Sequence, residues 1–232
     1  MARIVNEEEY SLRRNEILDS AQQFVYAKGY EQMTIQDILQ ECQISKGAFY
    51  YYFDSKSALL EALIERMLDE ALLILQPIVE DPNLGALDKL QLYFSTAGRW
   101  KIAQKEFMLE ILRVWYADDN AIVRQKASAA GLARVGPMID TIVRQGVQEG
   151  VFSVSCPDRL GEVSLFLMYG LGDMMIQQLL SQGPDRAPLE KLIHTLEAYT
   201  RALERVLGAP TGSIVLVEPE IMEEWYEVAK EV

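Results

Sequence analysis

The sequence predicts an all-α protein, and three observations lead to this prediction. Apolar residues recur at intervals of three and four along most of the 232 residues, which is the period of one helix face. Proline and glycine divide these stretches, and residues typical of helix N-caps precede several of them. No stretch has the alternation of apolar and polar residues that predicts a β-sheet, and no internal repeat is present.

The first predicted helix covers residues 7–28. Gly29 follows it directly and is placed to act as its C-terminal cap. The apolar residues of this helix form one inner stripe: Ile17, Ala21, Phe24 and Val25.

Two short helices with a tight turn between them are predicted next. Thr34 can cap the first, and Asp37 three residues later completes the pattern of a capping box. Ser45 can cap the second, residues 46–52, which is too short to be stable alone. A pair of short helices whose second member presents its N-terminal residues is the helix-turn-helix arrangement that enters a DNA major groove.

The second short helix contains a run of aromatic residues that cannot all face one core. Phe49 and Phe53 are spaced to point inward together, which leaves Tyr50 and Tyr51 mostly outside. Aromatic residues at helical spacing are more often core than binding surface, but a seven-residue helix has only one buried stripe. The tyrosine hydroxyls suit phosphate oxygens, and a lysine lies on each side of them: Lys46 and Lys56.

This stretch resembles the DNA-binding signature of the TetR family of bacterial transcription regulators. The matching residues are Gly29-Tyr30, Thr34, Ile38, Ile44-Ser45-Lys46-Gly47, Phe49-Tyr50, Phe53, Ser55-Lys56 and Leu59. The resemblance implies a helix-turn-helix domain at residues 1–55, an effector-binding and dimerisation domain at 56–208, and a C-terminal extension at 209–232. It also implies DNA contacts by these residues: Thr34, Ser45, Lys46, Gly47, Tyr50, Tyr51, Tyr52 and Lys56.

The sequence departs from the family pattern around the turn. The family usually has alanine where Leu39 and Cys42 stand, and glycine where Gln43 makes the turn. A left-handed Gln43 costs about 1 kcal/mol relative to glycine. These departures remove no DNA-contacting side chain.

The charge distribution limits how the protein can bind DNA. The net charge is −13, and residues 1–57 contain six cations against nine anions. From residue 42 to residue 57, however, there are two lysines against one aspartate. DNA binding must then depend on a few well-placed phosphate contacts, which a dimer would double.

A longer helix is predicted from residue 55 to about 76, where Pro77 stops or kinks it. A turn at 81–85 follows, and the segment 150–157 is predicted to be a loop or a short extended piece. Five further helices are predicted, and Gln182-Gly183-Pro184 separates the last two of them. A bend or break is predicted in the third by Gly131, Gly136 and Pro137. These five helices are 84–104, 105–117, 119–149, 157–182 and 186–207.

The helix at 157–182 is apolar on nearly all sides, and such a helix is buried on nearly all sides. One side can cover its own core, and the other a second copy of the chain. Together with the next helix it predicts a homodimer, which suits a palindromic DNA operator; a core confined to one chain is the alternative. The predicted interface residues are Met168, Gly172, Met175, Leu179, Leu192, Leu196 and Leu203.

Aromatic residues and methionines of the middle and late helices, interleaved with carboxylates, predict a pocket for a small lipophilic effector. Each residue alone is more often core. The candidates are Trp100, Phe107, Glu110, Trp115, Phe166, Tyr169 and Met174.

The sequence predicts neither an enzyme nor a bound cofactor or metal. The single histidine, His194, stands in a helical pattern, and no Cys/His cluster has metal-ligand spacing. No stretch approaches the roughly 20 apolar residues of a membrane span, and we expect a cytoplasmic protein. The main alternative is a dimeric small-molecule-binding protein of this fold that no longer recognises DNA; an enzyme on an all-α scaffold is the other.

Overall fold

Ten α-helices make up nearly all the regular structure in the computed structural model, which describes residues 7–116, 120–181 and 188–229. No β-strand occurs within these ranges, so the all-α prediction is confirmed. None of the described helices has the length and apolar character needed to cross a membrane. The helices are α1 (Glu7–Lys28), α2 (Ile35–Glu41), α3 (Lys46–Tyr52), α4 (Lys56–Glu80), α5 (Ala86–Ile102), α6 (Lys105–Trp115), α7 (Ala121–Glu149), α8 (Leu160–Leu180), α9 (Leu189–Leu207) and α10 (Pro219–Val228).

Two helices continue through prolines at which the sequence predicts an interruption. Helix α4 runs past Pro77 to Glu80, and the proline lies in its last turn, where little of the helix remains to be broken. Helix α7 is continuous from Ala121 to Glu149 although it contains Pro137. A stop at Pro77 and a break in α7 are therefore wrong, while the alternative kink and bend stay predictions.

Several predictions concern residues outside the described ranges. They include the separator at 182–184, the ends of the helices predicted around 117–119 and 186–187, and the first six residues of the expected DNA-binding domain. Residues 230–232 of the C-terminal extension also lie outside.

The chain divides into two compact units, the first formed by residues 1–67 and 106–127. Helix α1 turns its inner stripe to the core of this unit and ends at Gly29, whose φ of 79° lies in the left-handed region that favours glycine. The core also receives α6 and the start of α7, so the unit extends beyond residue 55. Its buried residues include Ile17, Leu18, Ala21, Val25, Ile38, Phe49, Phe53, Leu59, Leu63, Phe107, Ile111, Val114 and Val123.

The second unit comprises residues 68–105 and 128–232. Helices α8 and α9 pack along one another within it, and a buried lysine, Lys89, donates to the carbonyl oxygen of Val79 at 2.7 Å near the C-terminal end of α4. Its core is built from α4, α5, α7, α8, α9 and the C-terminal segment. Buried residues include Leu75, Leu90, Tyr93, Phe94, Ile139, Ile142, Leu171, Met175, Leu192, Leu203, Leu207, Ile214 and Met222.

The C-terminal segment packs on this unit through α10, which contacts α5 and α9. A buried carboxylate, Glu204 on α9, accepts hydrogen bonds from the backbone N–H groups of Gly212 (2.7 Å) and Ile214 (3.3 Å), and Arg201 donates to it at 2.8 Å. Burial opposes ionisation of Glu204, but Arg201 and the two backbone donors outweigh it and hold the pKa of the carboxyl below its usual value. One carboxylate therefore fastens the turn that leads into α10.

We expect Glu204→Gln to lower the free energy of unfolding by about 1–3 kcal/mol, because charge-assisted bonds to a buried group are lost. Urea unfolding of the purified protein measures this. Glu197→Gln on the same helix is the control, since Glu197 is exposed and its change should cost less than about 0.5 kcal/mol. Equal effects of the two variants would contradict the role given to Glu204.

Candidate nucleic-acid interface

Thr34 starts α2 with the predicted capping box. Its hydroxyl accepts from the backbone N–H of Asp37 at 3.2 Å, and the carboxylate of Asp37 accepts from the backbone N–H of Thr34 at 2.7 Å. The hydroxyl of Thr34 also donates to the same carboxylate at 2.7 Å. The side chain of Thr34 is thus engaged within its own helix end.

Asp37 also connects this helix end to α1. Lys28, in the last turn of α1, donates to the carboxylate of Asp37 at 2.6 Å. The Lys28 ammonium and, after it, the hydrogen bonds from Thr34 lower the pKa of Asp37 from 3.8 to about 2. The carboxylate therefore remains charged through the physiological range.

The turn between α2 and α3 contains Gln43 in the left-handed region, with φ of 52°. The Ile44 N–H donates to the carbonyl oxygen of Leu39 at 3.0 Å and closes the turn. This is the conformation in which glycine is less costly, as predicted from the sequence.

Helix α3 begins at the predicted cap, where the Ser45 hydroxyl accepts from the Ala48 N–H at 3.1 Å. Phe49 is fully buried and Phe53, just beyond the helix, is 3% exposed. Tyr50 and Tyr51 point the other way and are 42% and 55% exposed. The predicted division of the aromatic run into an inner and an outer face is confirmed.

Tyr52 lies between these two faces. Its ring is half-buried against the core of the first unit and lies 4.9 Å from the ring of Tyr10 on α1. Tyr10 also meets Tyr51 edge-on at 5.7 Å. The sequence analysis did not single out Tyr10, although it stands seven residues before Ile17 and so shares its stripe on α1.

The first residues of α3 are open to solvent. Lys46 is exposed, and its ammonium lies 5.9 Å from the centre of the Tyr50 ring. At Gly47, an added Cβ would meet the Ser45 hydroxyl at 3.9 Å, an ordinary van der Waals distance. The fold itself thus leaves room for a larger side chain at Gly47.

Lys56, at the start of α4, is half-buried and has partners within the protein. Its ammonium donates to the carbonyl oxygen of Glu31 at 3.2 Å and lies 4.2 Å above the Tyr30 ring. Burial lowers the pKa of Lys56. Because an ammonium has three donors, a contact with DNA phosphate is compatible with this placement.

Some carboxylates of the first unit pair with neighbouring cations. Asp37 pairs with Lys28, and Glu16 pairs with Arg13. Asp19 pairs with Arg66 of α4 at 2.6 Å. These pairs reduce the repulsion that the acidic composition would otherwise exert on a phosphate backbone.

Helices α1, α2 and α3, with the first residues of α4, form a helix-turn-helix domain of the DNA-binding class. Residues 17–63 match the family model described as bacterial regulatory proteins, tetR family. The resemblance of this domain to the TetR family of bacterial transcription regulators, which the sequence signature predicts, is thus confirmed. Proteins of this family regulate transcription and are not enzymes.

Similarity to known regulators extends along most of the chain. YfiR of Bacillus subtilis, an uncharacterized HTH-type transcriptional regulator, is 24% identical over 202 residues, which cover 86% of this chain and 95% of YfiR. The crystal structure of a TetR-family regulator from Pectobacterium atrosepticum matches with a TM-score of 0.64 at 17% identity, over 88% of this chain and 99% of that one. RolR in complex with resorcinol matches with a TM-score of 0.59 at 17% identity, over 95% and 96%. The two structures show the fold alone.

The predicted effector residues are divided between the two units. Phe107 is fully buried in the first unit, where its ring stacks on Tyr26 at 4.9 Å. In the same unit, the carboxylate of Glu110 accepts a hydrogen bond from Arg113 at 2.8 Å. The backbone oxygen of Trp115 accepts one from Arg124 at 2.6 Å. The second unit contains the others: Trp100, Tyr169 and Met174, which are half-buried, and Phe166, which is 56% exposed.

The predicted dimer residues lie on α8 and α9, and most of them are covered by their own chain. Met168 and Gly172 are half-buried. The other five belong to the core of the second unit: Met175, Leu179, Leu192, Leu196 and Leu203. The exposed apolar residues of α8 are instead Val163 and Phe166, at 41% and 56%.

We expect Asp37→Asn to destabilise the protein at pH 7, because the amide cannot attract Lys28 as the carboxylate does. The native pKa of Asp37 lies below the ordinary 3.8, so its stabilising effect is present above about pH 3.8 and is lost as the pH falls toward 2. Urea unfolding at pH 7, 5, 4 and 3 measures this. The difference in the free energy of unfolding between wild type and variant should become smaller below pH 4.

Asp54→Asn is the matched control, because Asp54 is an exposed aspartate of the same unit. Its effect should be small at every pH. If the loss of unfolding free energy in Asp37→Asn stays constant down to pH 3, the role assigned to the carboxylate is contradicted.

Proposed function

We propose that the protein is a cytoplasmic repressor that binds a palindromic DNA operator as a homodimer and is released by a small lipophilic effector. The observation that supports DNA binding most directly is the outer face of α3. Lys46, Gly47, Tyr50 and Tyr51 are exposed there, while Phe49 on the opposite face is fully buried. A helix held in this way offers one cation and two hydroxyls to a phosphate backbone and to base edges.

The remaining proposed contacts surround this face. Thr34 and Ser45 cap α2 and α3, and their hydroxyls are partly used by the helix ends. Tyr52 supports Tyr10 and Tyr51 through its ring, with its hydroxyl as the proposed contact. Lys56 supplies a second cation from the start of α4. With so few cations, we propose that affinity for random DNA is low and strongly salt-dependent.

We propose that the dimer forms through the outer side of α8. Val163 and Phe166 are exposed there, and aromatic side chains such as Phe166 are enriched at the buried centres of interfaces. The half-buried Met168 and Gly172 belong to the same helix. The four leucines and one methionine already buried in the second unit would support this surface from inside.

We propose an effector site in the second unit, where Trp100, Tyr169 and Met174 are half-buried. RolR, which has a similar fold, is described as a complex with resorcinol, a small neutral aromatic molecule. An effector releases DNA only if it binds the conformation with low DNA affinity more tightly than the conformation with high DNA affinity. The coupling free energy between the two sites cannot exceed that difference in effector affinity.

Selection from a random pool of DNA duplexes, with the purified protein at moderate salt, tests this function. We expect enrichment of a palindromic site. Phe166→Glu should give a monomer in sedimentation analysis and lose the palindrome, because a charge cannot be buried at the proposed interface. A folded dimer that enriches no site would instead support the DNA-incompetent binding protein.

Gly47→Ala separates a DNA contact from a role in folding. Alanine should raise the stability of α3 by up to about 1 kcal/mol, because the added Cβ meets no close atom and alanine favours helix. Where DNA approaches closely, the same methyl should weaken operator binding at least about tenfold, or roughly 1.4 kcal/mol. Fluorescence anisotropy with the selected operator measures the affinity.

Gln125→Ala, at an exposed position of α7 in the same unit, also introduces a helix-favouring alanine and should leave operator affinity unchanged. Wild-type affinity of the Gly47→Ala variant would exclude Gly47 from the interface.

A further inference from the structure

The six lysines and arginines that the structure describes between residues 7 and 67 fall into two groups. Three of them pair with carboxylates: Arg13 with Glu16, Lys28 with Asp37, and Arg66 with Asp19. Within the described residues, the other three form no ion pair: Arg14, Lys46 and Lys56. Lys46 and Lys56 are proposed DNA contacts, whereas Arg14 has the same unpaired charge and no assigned role.

Arg14 lies against an aromatic ring instead of a carboxylate. Its guanidinium carbon stands 5.1 Å from the centre of the Phe53 ring, within the range of a cation–π contact. Lys46 and Lys56 also lie against aromatic rings, at 5.9 and 4.2 Å from the ring centres. A ring orients a cation without neutralising its charge, so the charge of Arg14 remains available to an anion.

The hydrogen-bond donors of Arg14 are available as well. Arg14 is half-buried, and no group in the described part of the chain accepts a hydrogen bond from it. A guanidinium has five N–H donors in a planar fork that can hold two phosphate oxygens at once. Arg14 therefore has both the charge and the donors that phosphate binding needs.

The position of Arg14 on α1 places it beside the end of α3. Tyr10 is one turn earlier on the same face of α1, since residues four apart in a helix lie above one another. Its ring meets Tyr51 edge-on at 5.7 Å and lies 4.9 Å from the ring of Tyr52. Phe53, which Arg14 contacts, follows these tyrosines directly. This stretch of α1 thus borders the C-terminal end of α3, where Tyr51 is 55% exposed.

A purely structural role for Arg14 is the alternative. Phe53 is 3% exposed, and long basic side chains can shield apolar surface with their stems. The two roles differ in what they require of the side chain. A cover for Phe53 needs only the stem of Arg14, whereas a phosphate contact needs its charge.

We propose that Arg14 binds a phosphate of the DNA backbone beside the end of α3, oriented by Phe53, and so extends the DNA interface onto α1. A phosphate contact carries no sequence information, so Arg14 strengthens binding to every duplex. A dimer would gain two such contacts, which matters because the interface has few cations. This inference rests on the proposed function, because its ligand is DNA.

The salt dependence of DNA binding tests this proposal. Fluorescence anisotropy measures it with the selected operator and with a duplex of the same length and random sequence. Arg14→Met and Arg14→Lys both keep an unbranched stem over Phe53, but only lysine keeps the charge. We expect Arg14→Met to reduce the slope of log affinity against log salt by about 0.9 per bound subunit on both duplexes. Its operator affinity at moderate salt should fall at least about tenfold, and Arg14→Lys should keep the wild-type slope.

Arg13→Met is the matched control. It makes the same change of net charge one residue away, at a guanidinium that already pairs with Glu16, and should keep the wild-type slope. Equal slopes in the two methionine variants, or a wild-type slope in Arg14→Met, would overturn the proposal. A shared fall in melting temperature in Arg14→Met and Arg14→Lys, with no difference in slope between them, would show that Arg14 only covers Phe53.

The wild-type protein separates failure of this proposal from failure of the proposed function. Operator binding with an unchanged slope in Arg14→Met contradicts the role of Arg14 and keeps the repressor. If selection enriches no site, the random duplex alone is used, and a slope that depends on Arg14 then keeps the phosphate contact and contradicts the repressor. A wild-type protein that binds neither duplex contradicts both.

Discussion

A helix of seven residues does not hold together in water, so the outer face of α3 depends on how its inner face is held. Phe49 anchors the helix in the core of the first unit, and Phe53 follows it there. Burial of each side chain contributes roughly 1.5–3 kcal/mol, and the Ser45 cap adds about 1 kcal/mol. The capped ends and the turn at Gln43 then set the direction in which α3 points. The exposed tyrosines and Lys46 are therefore placed by the core behind them.

Much of this arrangement could be predicted from the sequence because it is local. Caps at Thr34 and Ser45 and the left-handed turn at Gln43 involve residues at most five apart, and their side-chain chemistry limits the options. The contacts of Tyr10 with the α3 tyrosines and of Lys28 with Asp37 join separate elements. Helical periodicity shows which face is buried but not which element covers it, so these contacts were not predicted.

The same limitation applies to the second unit. An apolar helix such as α8 has the same pattern whether its neighbour is its own chain or a copy, and the structure places Met175 and Leu179 of this helix in the core of one chain. Phe107 was expected near an effector, and it belongs to the core around α1.

The position of α6 has a consequence for dissecting the protein. Phe107, Ile111 and Val114 fill the core that Ile17 and Phe49 also line, although residues 68–105 of the second unit lie between the two segments of the first unit along the chain. A fragment ending at residue 67 would expose the apolar surface that these side chains cover. The DNA-binding region is thus not a transplantable module, and a chimera that borrows it must also bring residues 106–127.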